Sequence, residues 1–209
     1  MDAVRWVSVG AALIAGTLIV SAAVAQTSEQ TLWCNGTGNP TPDQQIKACT
    51  AVIASRTVTG DKLAIVYNLR GNAYLSTRDY DRAITDYDQS ILHDISNGDT
   101  FYNRGIAYGG KGNFDHAIAD FTRAISGYDQ SRHPAQFKRD YFKARGNAFS
   151  KKGDFEKAIA DYGDAIKIDP NFARAYYNRG VAKLKTGDTA GSEEDLAQAK
   201  KLQANIGPE

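Results

Sequence analysis

The chain is poor in the residues on which most protein chemistry depends. Of its 209 residues only two are cysteine and three are histidine, and His93, His116 and His133 share no ligand spacing. Two thiolates without a neighbouring histidine fall short of the four ligands of a zinc site. No metal or other cofactor is therefore expected. Gly-x-Ser-x-Gly and His-Glu-x-x-His do not occur, and in Gly109-Gly110-Lys111-Gly112 the lysine is followed by Gly112-Asn113, where a phosphate loop places Ser or Thr. No set of residues has the nucleophile, base and orienting group that catalysis needs, so an enzyme is not expected. Charge of one sign is missing too, the formal net charge being +1. A chain without a basic stripe offers no footprint for nucleic acid, whose binding depends on neutralising phosphates.

Long apolar runs are also scarce. One stretch, about Val7 to Val20, follows Arg5 and leads to Ala23-Val24-Ala25 before Gln26. This is the form of a secretory signal cut after a small-x-small site. A retained anchor is the competing reading, although the run is short of the ~20 residues that span a bilayer. Residues 1–25 are assigned to a signal peptide and the mature chain to the periplasm or the exterior, with no membrane segment of its own. Cleavage removes Asp2 and Arg5, which leaves the balance at +1. In an exported chain Cys34 and Cys49 have one possible pairing. A disulfide closing a loop of about 15 residues stabilises by roughly 3 kcal/mol in the chain-entropy model; two free buried thiols are the alternative.

What the sequence has in abundance is one pattern written four times. Gly71, Gly105, Gly146 and Gly180 stand 34, 41 and 34 residues apart. Tyr67, Phe101, Phe142 and Tyr176 precede them by one helical turn, and Tyr74, Tyr108 and Phe149 follow, with Lys183 in the fourth copy. Then come Tyr80, Phe114 and Phe155, the small residues Ala83, Ala117, Ala158 and Ser192, and finally Tyr87, Phe121, Tyr162 and Leu196. Spacings of three, four and seven are helical. Gly112-Asn113, Gly153-Asp154 and Gly187-Asp188 divide the last three copies, Gly ending one helix and Asn or Asp capping the next. Each copy is a helix-turn-helix hairpin, and a fixed period of this size means a solenoid.

This pattern resembles the tetratricopeptide repeat family, whose signature is met most fully by Phe142, Gly146, Phe149, Ala158, Tyr162, Ala165 and Pro170. The resemblance implies an all-α, right-handed solenoid over residues 61–209, with repeats at about 64–97, 98–131, 139–172 and 173–206. Residues 26–60 form an N-terminal linker and a capping helix around Asp43 to Ile53, read as the second half of a repeat that lacks its first. Arg78 departs from the pattern, standing where the other copies have Gly, and Ser192 and Lys200 are polar where Ala and Ile are expected. A terminal repeat has no neighbour to cover it, so polar drift there suits a cap. The insertion Gly127 to Asp140 is either a helix extension opened by Pro134 or a local docking edge.

Two charged series run through all four copies. Arg70, Arg104, Arg145 and Arg179 precede the repeat glycines, and Asp86, Asp120, Asp161 and Asp195 follow them at an offset of 16 residues. Matched in this way they predict structural ion pairs, within hairpins or between repeats, in which arginine engages a carboxylate bidentately.

In the family, the first helix of each repeat lines a concave groove that binds a peptide. Carried over by position, the groove residues are Asn68, Asn72, Leu75 and Ser76; Tyr102, Asn103 and Ile106; Lys143, Asn147 and Lys151; and Tyr177, Asn178, Val181 and Leu184. Some family members hold a C-terminal carboxylate with Lys and Asn of one repeat, Asn of the next, and Lys with Arg of a third. Lys143, Asn147 and Asn178 meet the first two parts, and no further repeat supplies the third. The function implied is a non-enzymatic scaffold or adaptor of the bacterial cell envelope that binds a protein or peptide segment. The alternative is a self-associating, homo-oligomeric envelope protein, although the polar last helix argues against open-ended stacking.

Overall fold

A computed structural model describes residues 30–128 and 134–207. The expected signal peptide and residues 129–133 of the insertion, including Arg132 and His133, lie outside the described residues. After a short helical stretch at 30–34, the described chain forms nine helices: α1 (Pro42–Ser55), α2 (Gly60–Ser76), α3 (Tyr80–His93), α4 (Gly98–Gly110), α5 (Phe114–Ser126), α6 (Ala135–Lys152), α7 (Phe155–Ile168), α8 (Ala173–Thr186) and α9 (Thr189–Leu202). Helices α2/α3, α4/α5, α6/α7 and α8/α9 are antiparallel hairpins, the arrangement expected from the sequence.

The turns inside the hairpins carry the local chemistry. Gly112, Gly153 and Gly187 have φ of 77°, 87° and 89°, the left-handed conformation that ends a helix. Arg78 holds the equivalent place with φ 60°. Asp79, Asn113 and Asp188 then accept the backbone N–H of Arg82, His116 and Gly191 and so cap the second helices. Thr41 and Gln44 form a reciprocal capping box at the start of α1.

The repeat glycines are required by close approach. A Cβ on Gly71, Gly105 or Gly146 would lie 2.7–2.8 Å from the ring of Tyr87, Phe121 or Tyr162, too near for any side chain. Those three rings are buried, as are Ala83, Ala117 and Ala158. In the fourth hairpin Leu196 replaces the aromatic ring, and the Cβ contact relaxes to 3.0 Å.

Among the described residues each hairpin touches only its sequence neighbours: second helices pack on the next first helix, and first helices α2, α4, α6 and α8 touch successively. Helix α1 packs on α2. A disulfide joins Cys34 to Cys49, and both cysteines lie in a cluster with Ala48, Val52 and Val66, against which Trp33 and Leu69 pack. The described part of the insertion extends the third repeat. Pro134 stands immediately before α6, which has 18 residues against 17, 13 and 14 in α2, α4 and α8. Tyr128 packs edge-on against Tyr141 at 6.4 Å.

Candidate peptide-binding groove

The four Arg/Asp pairs lie within the hairpins. In every copy the arginine Nε and Nη2 donate to the two carboxylate oxygens at 2.7–2.8 Å. The aspartates are almost fully buried, and the arginine also sits 5.5–5.6 Å from the ring three residues before it. The third nitrogen, Nη1, reaches back to the preceding unit: Arg70 to Thr50 at 3.0 Å, Arg104 to Asp88 at 2.6 Å, Arg145 to Thr122 at 3.1 Å. In the fourth copy the corresponding position is Gly163, with no side chain to accept. There Lys183 Nζ joins the pair instead, 3.0 Å from Asp195. Burial pushes the Asp195 carboxyl up, but Arg179 and Lys183 together outweigh it and hold it below the usual carboxylate range.

The asparagines expected to face a ligand divide into two sets. In the first two repeats they bond to one another. Asn68 donates to Thr100 at 2.9 Å, Asn72 donates to Asn68 at 3.2 Å, and the Asn72 Oδ1 accepts from both Tyr87 and Asn103. Asn68, Asn72 and Asn103 are therefore tied into the joint between the first two repeats through Thr100 and Tyr87. At the last joint, Asn147 Oδ1 likewise accepts from Tyr162 at 2.8 Å and Asn178 at 2.9 Å. But Lys143 replaces the asparagine one turn earlier, and no group among the described residues accepts from the Asn147 Nδ2.

Two hollows of about 300 Å³ each lie along this face. One is bounded by Tyr102, Ile106, Phe114, Phe121, Lys143 and Ala144, and the other by Ser150, Tyr162, Tyr177, Asn178 and Val181; Asn147 and Lys151 line both. Eight of the expected groove residues are thus brought together on α4, α6 and α8. Asn68, Asn72, Leu75, Ser76, Asn103 and Leu184 border neither hollow, and Leu184 is 54% exposed. Tyr102 is half-buried and packs on Phe121 and Tyr141, with ring centroids 5.7 and 4.9 Å apart, so it serves the core as well as the wall.

Ser150, Gly109 and Phe114 were not expected at the site. Ser150 and Gly109 have a signal in the sequence, since they stand four residues after a repeat glycine, as Leu75 and Leu184 do. Phe114 reads as core because its counterparts Tyr80 and Phe155 in two other copies are packing aromatics. Among the described residues no group of His, Cys, Asp and Glu is placed to hold a metal ion, and no helix is long and apolar enough to cross a membrane.

Comparison with known proteins accounts for this architecture. The sequence matches the tetratricopeptide repeat over residues 64–92, 98–126 and 173–206, and the TPR repeat over 146–187. Together the matches cover more than half of the chain. No curated protein matches it in sequence. Among solved structures, the crystal structure of MamA is 21% identical, covering 82% of this chain and 92% of that one with a TM-score of 0.70. MamA 41-end from Desulfovibrio magneticus RS-1 is 15% identical, with 88% and 98% covered and a TM-score of 0.71. YrrB, titled a TPR protein with an unusual peptide-binding site, is 19% identical, with 78% and 79% covered and a TM-score of 0.65. At such identities the likeness is one of fold. With four hairpins of the right period, closed glycine–ring contacts and repeat matches across most of the solenoid, the chain belongs to the tetratricopeptide repeat family.

Proposed function

We propose that this protein is a non-enzymatic scaffold or adaptor of the bacterial cell envelope, which holds an extended segment of a partner protein along α4, α6 and α8. The observation that carries the reading is the pair of adjoining hollows, each with an aromatic or aliphatic side and a polar side. Tyrosines on rigid helices give contact area at small entropic cost, and amides supply hydrogen bonds to a peptide backbone. The peptide-binding site named for YrrB, a protein of the same fold, supports it. The export half of the proposal rests on Val7 to Val20 and Ala23-Val24-Ala25, and the Cys34–Cys49 disulfide fits an oxidising compartment.

A photo-crosslinking side chain at Val181, in the second hollow, and another at Lys167, an exposed residue of α7 paired with Asp164, test the groove in living cells. Crosslinks to a discrete partner from Val181 and not from Lys167 are expected, in the periplasmic or extracellular fraction. Equal labelling from both positions would move the interaction off the groove, and recovery of the protein from the cytoplasm would remove the envelope assignment.

A further inference from the structure

We infer that the groove selects an extended segment in which one internal Asp or Glu side chain stands between two apolar side chains. This rests on the peptide-groove reading and names the ligand class. Neither hollow has a carboxylate on its wall. The residues common to both are Lys151 and Asn147, so what separates the two is a cation and an amide whose Nδ2 has no acceptor among the described residues. Lys143 lines the first hollow, and Lys185 stands one turn beyond Val181 on the same helix face. None of the three lysines has a carboxylate partner among the described residues, in contrast to Lys111, Lys152 and Lys183, each of which is paired. The nearby acids of α4 and α6 are engaged, Asp99 accepting the Tyr141 hydroxyl and Asp140 facing Arg139 at 3.3 Å.

The order of features along the groove then sets the ligand. Ile106 and Phe114 offer one apolar floor and Tyr177 with Val181 the other, with the donors between them. An apolar side chain on each side places the carboxylate in the middle of the segment, so the chain continues past it and the acid is a side chain, not a chain terminus. First helices of adjoining repeats lie about 10 Å apart and an extended chain rises about 3.3 Å per residue. The two apolar residues are therefore about three positions apart.

The test presents end-blocked random octapeptides on an array to the mature, oxidised protein, with a parallel array carrying free C-termini. Blocked peptides with Asp or Glu between apolar residues are expected to be enriched, and changing that acid to Gln in the best of them should weaken binding about tenfold. Lys151→Glu, at an exposed position, should abolish the acidic preference, whereas Lys167→Glu should leave it, with circular dichroism confirming that both variants fold. Selection of neutral or basic peptides that is lost in Val181→Asp would overturn the acidic class while the groove reading stands. Selection only of free C-terminal carboxylates would overturn the internal placement. Absence of any selection sensitive to Lys151→Glu or Val181→Asp would overturn the inference and the groove reading together.

Discussion

Arg78 shows how one side chain can depart from a repeat without changing its geometry. Its φ of 60° is that of the glycines at the equivalent turns, and an L side chain is strained there. Arg78→Gly should raise unfolding stability by up to about 1 kcal/mol in urea titration, offset in part by the greater freedom glycine gives the unfolded chain; a net loss would mean that the arginine side chain stabilises the turn. Gly146 has the opposite constraint. A methyl group at that position meets the Tyr162 ring at 2.8 Å, so Gly146→Ala should destabilise by about 1–3 kcal/mol. Both positions were legible, because the period aligns each with three counterparts. The asparagines were not. Asn72 and Asn147 are the same residue at the same repeat position, yet Asn72 donates to Asn68 and Asn147 does not, because Lys143 replaces that partner. Whether a polar side chain is engaged inside a joint depends on its neighbour one turn away, and repeat position alone does not carry that information. Tyr102 was obscure for the same reason. Its contacts with Phe121 and Tyr141 imply that Tyr102→Ala lowers stability as well as binding, whereas Val181→Ser isolates binding.

At the scale of the hairpin, the Arg/Asp series was expected as ion pairs, with their place within hairpins or between repeats left open. The structure uses one arginine for both, two nitrogens closing the hairpin and the third crossing to the unit before. A double-mutant cycle on Arg145 and Asp161 should give a coupling of about 1–3 kcal/mol, since removing either partner strands a largely buried charge; additive single mutants would deny the pair. The fourth hairpin adds a pH dependence. The Asp195 carboxyl lies below its ordinary range in the folded chain, so its contribution is complete above the unfolded value near pH ~3.9 and is lost as pH falls through the folded one. Melting temperature should drop more steeply below about pH 4 in the native protein than in Asp195→Asn, and parallel curves would show that Asp195 titrates alike in both states.

Across the whole molecule, the fold was legible because the copies repeat one instruction with few departures: glycine against ring, alanine at the crossing, an Asx residue after each turn. The limits of the site were not, since which stretch of a solenoid stays open depends on contacts such as that of Phe114 with the first hollow. The proposed export predicts a mass of Gln26 to Glu209 less two hydrogens, with no thiol open to alkylation until the protein is reduced; mass spectrometry on protein from its native host decides this. The missing side chain at Gly163 has a further reach. At every earlier joint an arginine nitrogen bonds across to Thr50, Asp88 or Thr122, and at the last joint that crossing is absent. In a chain whose units touch only their neighbours, opening proceeds from the ends, so the final hairpin should have the fastest amide hydrogen exchange in the solenoid. That hairpin also supplies Tyr177 and Val181, hence half of the second hollow. Occupancy of the groove and fraying of the C-terminal end are then thermodynamically linked: a bound segment slows exchange in α8 and α9 and leaves α2 and α3 untouched, and Gly163→Asp, by restoring the crossing, tightens binding without touching the ligand.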